Sequence, residues 1–187
     1  MSTPYVCSAK YSGSLDNSFR RFLHKPEKIL SPYIREGMTV LDMGCGPGHF
    51  TLGIAKLVGD SGKVIAADLQ QEMLDKMQLK IRAAGLEKRV VAHKCEQTST
   101  GITSKADFIF CFWMVHEVPD QDRFLTEMRS LLNPGGNLFI CEPKIHVTGR
   151  EFERTKAKLI SAGLSIAEGP KVAISRAIVA TINDPGL

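Results

Sequence analysis

Ten residues limit most sharply what this chain can become. Val40-Leu41-Asp42-Met43-Gly44-Cys45-Gly46-Pro47-Gly48-His49 passes from an apolar segment into three alternating glycines. From His49 the pattern turns helical, with Phe50, Ile54, Leu57 and Val58 on one face. Glycines permit positive φ and let another group approach the backbone closely. The stretch therefore reads as a strand, a tight turn and a helix start. The helix start supplies N–H groups and a positive dipole end suited to a carboxylate. Asp42 lies inside the strand, where an acid is costly without a partner. An ammonium group and the amides of the turn are the candidates.

The remainder alternates in the same way. Lys63 to Ala67 is a short apolar strand ending at Asp68. Met73, Leu74, Met77, Ile81 and Ala84 form a helical face, with Gly85 as its stop. Val90 to His93 is a third strand, followed by a polar loop over 95–105. Phe108 to Phe112 is a continuous apolar run, the mark of a strand covered on both faces. Asp120 is placed to cap a helix whose buried face is Phe124, Leu125, Met128, Leu131 and Leu132. Asn133-Pro134-Gly135-Gly136 is read as its stop, and Asn137 to Cys141 as the fifth strand. Thr148 and Glu151 have capping-box spacing, and the helix they open ends near Gly163. Leu164–Glu168 and Ala173–Thr181 are strands joined closely enough, across Gly169-Pro170-Lys171, to predict an antiparallel hairpin. Before the glycine turn, Leu15, Phe19, Phe22 and Leu23 fall at helical spacing, and Pro26 opens a second helix, kinked at Pro32 and stopped at Gly37. Alternation of this kind predicts an α/β sandwich with a mostly parallel sheet. Residues 1–36 are expected to be a helical arm packed on the core, and 37–187 the single domain.

Composition removes several classes. At 187 residues the chain is sized for one domain with a substantial core. Its net charge of +4 is mild, and its basic residues are scattered among acids, so nucleic acid is not the expected partner. Arg20, Arg21, His24, Lys25 and Lys28, then 150–158, are the densest basic runs and read as solvated helix faces. Five cysteines, Cys7, Cys45, Cys95, Cys111 and Cys141, show no paired or zinc-type spacing, so no metal site is expected. No apolar run has membrane-span length and the N-terminus lacks a signal-peptide core, so the expected setting is cytoplasmic.

Three glycines alone do not name a ligand, because dinucleotide enzymes share their mechanics. The spacing here is G-x-G-x-G, an acid precedes it by two residues, and a second acid, Asp68, ends the next strand 20 residues after Gly48. This pattern resembles motif I of the class I S-adenosylmethionine-dependent methyltransferases. The resemblance runs on through Ile65-Ala66-Ala67-Asp68 with Gln71-Glu72-Met73-Leu74, through Phe108 to Glu117, and through Met128 to Glu142. It is closest to the small-molecule, methyltransferase type 11 and quinone-biosynthesis-like branch. It implies a Rossmann-like three-layer sandwich with seven strands in the order 3-2-1-4-5-7-6, the last antiparallel.

The resemblance also implies roles. S-adenosyl-L-methionine is the cofactor and S-adenosyl-L-homocysteine the product. Gly44, Cys45, Gly46 and Gly48 would line the methionine end, with Asp42 meeting its ammonium group directly or through water. Asp68 would hold the ribose hydroxyls and Leu69 would pack on the adenine. Glu96 and Gln97 are placed for the adenine edge, and Phe112 and Trp113 for the methionine and sulfonium.

Methyl transfer chiefly requires alignment and exclusion of water, and needs a base only when the nucleophile must lose a proton. His116 and Glu117 are the candidate catalytic residues. His116 leads because an unperturbed imidazole titrates near pH ~6.5. Tyr11 and His24 are weaker candidates. The fourth strand carries Cys111-Phe112-Trp113-Met114 in place of the signature of enzymes that methylate base amines. The reading is thus a methyltransferase acting on an unidentified small molecule. RNA or protein methylation, with Arg20, Arg21 and Lys25 as the contact, is one alternative, and a non-catalytic cofactor-binding module is another. A homodimer is left open.

Overall fold

Glycine at 37 and at 44–48 brackets the first core strand in the structure, a computed structural model that describes residues 24–182. The strands are β1 (Thr39–Met43), β2 (Lys63–Asp68), β3 (Val90–Lys94), β4 (Ala106–Phe112), β5 (Leu132–Pro143), β6 (Leu164–Glu168) and β7 (Ser175–Ile182). The helices are α1 (Pro26–Leu30), α2 (His49–Leu57), α3 (Gln71–Ala83), α4 (Gln121–Leu131) and α5 (Gly149–Ser161), with a 3-10 turn at Val115–Glu117. The strands form one seven-stranded sheet in the order β3-β2-β1-β4-β5-β7-β6. This is the expected order, and β7 runs antiparallel to both β5 and β6. The expected arm helix at 15–23, with Tyr11, Arg20 and Arg21, lies outside the described residues.

The described residues fall into two compact units, 24–103 and 104–182. In the first, β1 pairs in parallel with β2, and β2 with β3. Val40, Leu41, Val64, Ala66 and Ala67 are fully buried, so these strands carry apolar side chains on both faces. Helix α2 buries Phe50 and Ile54, with Val58 buried just beyond it, and α3 buries Met73, Leu74, Met77 and Ile81, as the helical spacing predicted. Leu57, by contrast, is only half-buried, and Ala84 is exposed because it lies past the end of α3. Helix α1 departs from expectation. It stops at Leu30 and gives way to a turn, because Pro32 has no N–H to donate and its ring would strike the carbonyl four residues back. Leu30 and Ile34 are buried all the same.

In the second unit, β4 and β5 are parallel and hold Phe108, Phe110 and Phe139 in a fully buried cluster. The rings of Phe110 and Phe139 are 5.4 Å apart, within the range of favourable aromatic pairs. Here the sequence reading is corrected. Asn133 to Gly136 does not separate helix from strand, because β5 begins at Leu132, directly after α4. The four residues form a bulge inside the strand: Ala106 faces Leu132 while Phe108 faces Asn137. Gly135 takes φ +74°, and Asn133 Nδ2 donates to Asp107 Oδ1 at 2.7 Å. The two helix caps are as expected. Asp120 accepts from Arg123 N, and Thr148 with Glu151 forms a complete capping box.

Candidate functional site

In the unit 24–103, the carboxyl ends of β1 and β2 meet at the glycine turn, where open parallel sheets bind ligands. The turn is held by its own backbone. Gly44 N and Cys45 N both donate to Ala67 O, at 2.9 and 3.0 Å. Gly44, Gly46 and Gly48 all have positive φ, at 70°, 53° and 84°. Glycine is needed at 46 and 48 for different reasons. A Cβ at Gly48 would lie 2.6 Å from Met77 Cγ, so that position serves the contact between turn and α3. A Cβ at Gly46 would meet nothing within 4 Å, so the backbone there borders open space.

Asp68 closes the turn from the end of β2. Its Oδ2 accepts from Gly46 N at 2.9 Å and its Oδ1 from Gln70 N at 2.8 Å. The residue is 9% exposed, and burial raises its pKa above the usual carboxylate value despite these bonds. The amide of Leu69 bears on it as well, and since a carboxylate offers about four acceptor positions, room remains for a ligand hydroxyl. Leu69, next in the chain, is half-buried. Cys95 N donates to Asp68 O at 2.9 Å, which sets the start of the loop carrying Glu96 and Gln97 beside Asp68. Both of those residues are exposed, and Glu96 N is tied to Ser99 O.

Asp42 is 2% exposed, and its Oδ2 accepts from Thr51 Oγ1 at 2.6 Å. The turn amides offered as its partner go instead to Ala67 and Asp68, so that part of the expectation is corrected. Thr51 was missed by sequence reasoning. Its signal is a fully buried hydroxyl two residues into α2, on a face otherwise apolar. Burial outweighs the Thr51 bond and pushes the Asp42 pKa up to about 7, with a further push from the charge of Asp68. The Cys45 thiol is also raised by burial and by both aspartates, so it stays neutral.

These features fit S-adenosylmethionine. Open space at Gly46 admits an amino-acid tail, helix α2 starts without a side-chain cap, and two buried acids stand at the strand ends. Among the described residues, no group of three or more His, Cys, Asp or Glu side chains is arranged to hold a metal ion.

The unit 104–182 carries a second cluster. Phe112 is buried and stacks on Trp113 at 5.3 Å between ring centroids. Trp113 has φ +58° and Ile174 φ +53°. A non-glycine residue held in the left-handed region costs on the order of 1–3 kcal/mol and persists only where its surroundings fix it. Here Trp113 N donates to Cys141 O at 2.8 Å and Trp113 Nε1 to Ser175 Oγ at 3.0 Å.

Beyond Trp113, the 3-10 turn presents His116 and Glu117. His116 Nδ1 lies 2.5 Å from Glu142 Oε2, and His116 N donates to Glu142 Oε1 at 3.3 Å. Glu117 Oε1 is 3.9 Å from His116 Nε2, too far for a hydrogen bond. Burial lowers the His116 pKa, but the hydrogen bond and charge of Glu142, then the charges of Glu117 and Glu151, outweigh it and leave the pKa raised. Glu142 was not among the predicted site residues. Its signal was an acid in the apolar run of β5, as Asp42 is in β1.

Residues 34–174 match the family described as a methyltransferase domain, which is most of the chain. The demethylmenaquinone methyltransferase of Lactobacillus johnsonii is 33% identical over 127 residues, 67% of this chain and 50% of that protein. The ubiquinone/menaquinone biosynthesis C-methyltransferase UbiE of Escherichia coli is 33% identical over 110 residues, 58% of this chain and 44% of that protein. The chain thus spans about half the length of these curated relatives. The crystal structure of a SAM dependent methyltransferase from Aquifex aeolicus superposes with a TM-score of 0.86 and 29% identity, over 95% of this chain and 100% of that one. The glycine turn with its two buried acids, the reversed last strand and these similarities agree: the chain belongs to the class I S-adenosylmethionine-dependent methyltransferases, in the type 11 and quinone-biosynthesis-like branch.

Proposed function

We propose that the chain transfers a methyl group from S-adenosylmethionine to a small-molecule acceptor and releases S-adenosylhomocysteine. The observation that carries this reading is the cradle at Gly46, open where a Cβ would stand and closed behind by Asp68. When bound, the cofactor supplies a methyl group already activated on a positive sulfonium.

The residues of the first unit bind and orient. In this proposal the turn at Gly44, Cys45, Gly46 and Gly48 seats the methionine end, and the start of α2 faces its carboxylate. Asp68 receives a ribose hydroxyl on its remaining lone pair. Leu69 packs on the adenine, and Glu96 and Gln97 reach its edge. Asp42, held by Thr51, supplies negative charge for the ammonium group. In the second unit, Phe112 and Trp113 supply apolar surface, and His116 and Glu117 are the candidates for proton handling. A small molecule is favoured over nucleic acid by a mild, scattered charge of +4. The absence of paired cysteine spacing supports a reducing, cytoplasmic setting. No described helix is long and apolar enough to cross a membrane.

The test is calorimetric titration of the protein with S-adenosylmethionine, S-adenosylhomocysteine and NAD. The first two are expected to bind and NAD is not. Failure of the first two to bind would overturn the reading.

A further inference from the structure

β3 forms one edge of the sheet, and the loop that leaves it is braced along both limbs. Cys95 N donates to Asp68 O, which ties the first limb to the residue proposed to hold the ribose. Glu96 N donates to Ser99 O, and these two residues form an isolated antiparallel bridge, so Gln97 and Thr98 stand at the tip of a tight turn. The second limb is tied to itself. Gly101 N donates to Ser99 Oγ and Ile102 N to Thr100 Oγ1, both at 3.2 Å. One side chain joins this limb back to the sheet: His93 Nε2 lies 2.7 Å from Thr100 O. A carbonyl oxygen only accepts, so Nε2 carries the hydrogen and donates, whatever the charge of the ring. Gly101 packs beside the same ring, since a Cβ there would lie 3.8 Å from His93 Nε2. Thr100 is 6% exposed, while the four residues before it are exposed.

His93 also links the loop to the glycine turn. It stands in register with Ala67, whose carbonyl receives Gly44 N and Cys45 N. The turn, Ala67, His93 and Thr100 therefore form one row across the ends of β1, β2 and β3. The turn and the loop are fastened to opposite sides of the same strand end.

We propose that His93 is a positioning residue for cofactor selection: by holding Thr100 it fixes the loop so that Glu96 and Gln97 meet the amino edge of the adenine. The inference rests on the methyltransferase reading and deepens it. An exposed tip is not held by packing, so its direction is set by the anchorage of its limbs. A loop fixed beforehand presents its polar groups without an ordering cost on binding. A carboxylate in place accepts from an amino group and repels a carbonyl oxygen at the same position. A site built this way rejects an analogue that lacks the matching donor. His93 acts through the loop, and its effect is the preference for adenine over a base with oxygen in place of the amino group.

The first experiments need no ligand. Imidazole nitrogen-15 NMR of the full chain is expected to show neutral His93 as the Nε2–H tautomer. A dominant Nδ1–H form overturns the proposal whether or not any variant folds. Hydrogen exchange read by mass spectrometry is expected to quicken over 96–102 in His93→Leu and to stay slow in His93→Gln, which keeps an N–H donor. Unchanged exchange in His93→Leu overturns the brace. The last experiment titrates the chain with S-adenosylhomocysteine and with S-inosylhomocysteine, which carries the oxygen. The unaltered chain is expected to prefer the first. His93→Leu is expected to lose about tenfold for the first, the scale of one hydrogen bond, and little for the second. His93→Gln is expected to restore the preference. An equal loss for both compounds makes His93 a general support of the fold and overturns the selection role, as does an unaltered chain with no preference. Failure of both compounds to bind the unaltered chain overturns the cofactor reading and the selection role with it, while the tautomer and exchange results still decide the brace.

Discussion

Asp68 shows how one side chain shapes the turn at which the cofactor is proposed to bind. Its carboxylate fixes Gly46 N and Gln70 N, so the turn is shaped before any ribose arrives. Asp68→Ala is expected to weaken S-adenosylmethionine binding by the ~1.5–3 kcal/mol typical of hydrogen bonds to charged groups. Calorimetry on a variant whose fold is confirmed by circular dichroism checks this, and unchanged affinity would place the ribose elsewhere. Asp42 and Glu142 repeat the pattern of a buried acid at a strand end. Each was visible in the sequence as an acid in an apolar run, but its partner was not. Thr51 is nine residues from Asp42, and His116 is 26 from Glu142. Only the packing of a helix or a turn against the strand end brings these pairs together.

At the scale of elements, the strand–turn–helix unit depends on two glycines in different ways. Gly46→Ala forces a side chain into the left-handed region, a strain of about 1–2 kcal/mol, but strikes nothing. Gly48→Ala adds a clash with Met77, including its Cα at 3.2 Å, so turn and α3 must separate. Thermal melts are therefore expected to show a clearly larger loss for Gly48→Ala. Cofactor titration is expected to show Gly46→Ala losing binding while it remains folded. The reverse order would mean that the open space at Gly46 is not the cradle. The elements themselves were largely legible, because apolar periodicity, caps and glycine stops are local signals. The bulge in β5 was not. Asn133-Pro134-Gly135-Gly136 is a strong stop signal, and only pairing with β4 carries the strand through it.

At the scale of the molecule, burial of ionisable groups ties stability to pH. The Asp42 carboxyl has its ordinary value of 3.8 when unfolded and is pushed up to about 7 by burial in the fold. Between those values the folded chain holds a proton that the unfolded chain has released, so stability falls as pH rises through this window. The slope from this residue approaches ~1.4 kcal/mol per pH unit. The raised pKa of Asp68 acts in the same direction, as does that of His116, whose stabilisation is lost as pH rises through its folded value. Urea unfolding of the cofactor-free protein is expected to show greater stability near pH 5 than near pH 8. Asp42→Asn is expected to flatten the dependence between about 4 and 7. A flat profile in the unaltered protein would mean that Asp42 is charged and compensated without ligand.

The sequence by itself determined the sheet class, the strand order implied by the family resemblance, the glycine turn and the two acids beside that turn. These follow from signals carried within a few residues: periodicity of side chains, positive-φ glycines and motif spacing. Tertiary structure decided which polar groups face one another. It gave Asp42 to Thr51, closed the turn with Asp68 and set Glu142 behind His116. A buried charge takes whatever partner the packing supplies, and packing joins residues whose separation along the chain carries no local signal. The turn thus announced its cofactor in the sequence, while the brace proposed at His93 rests on a contact that only the fold assembles.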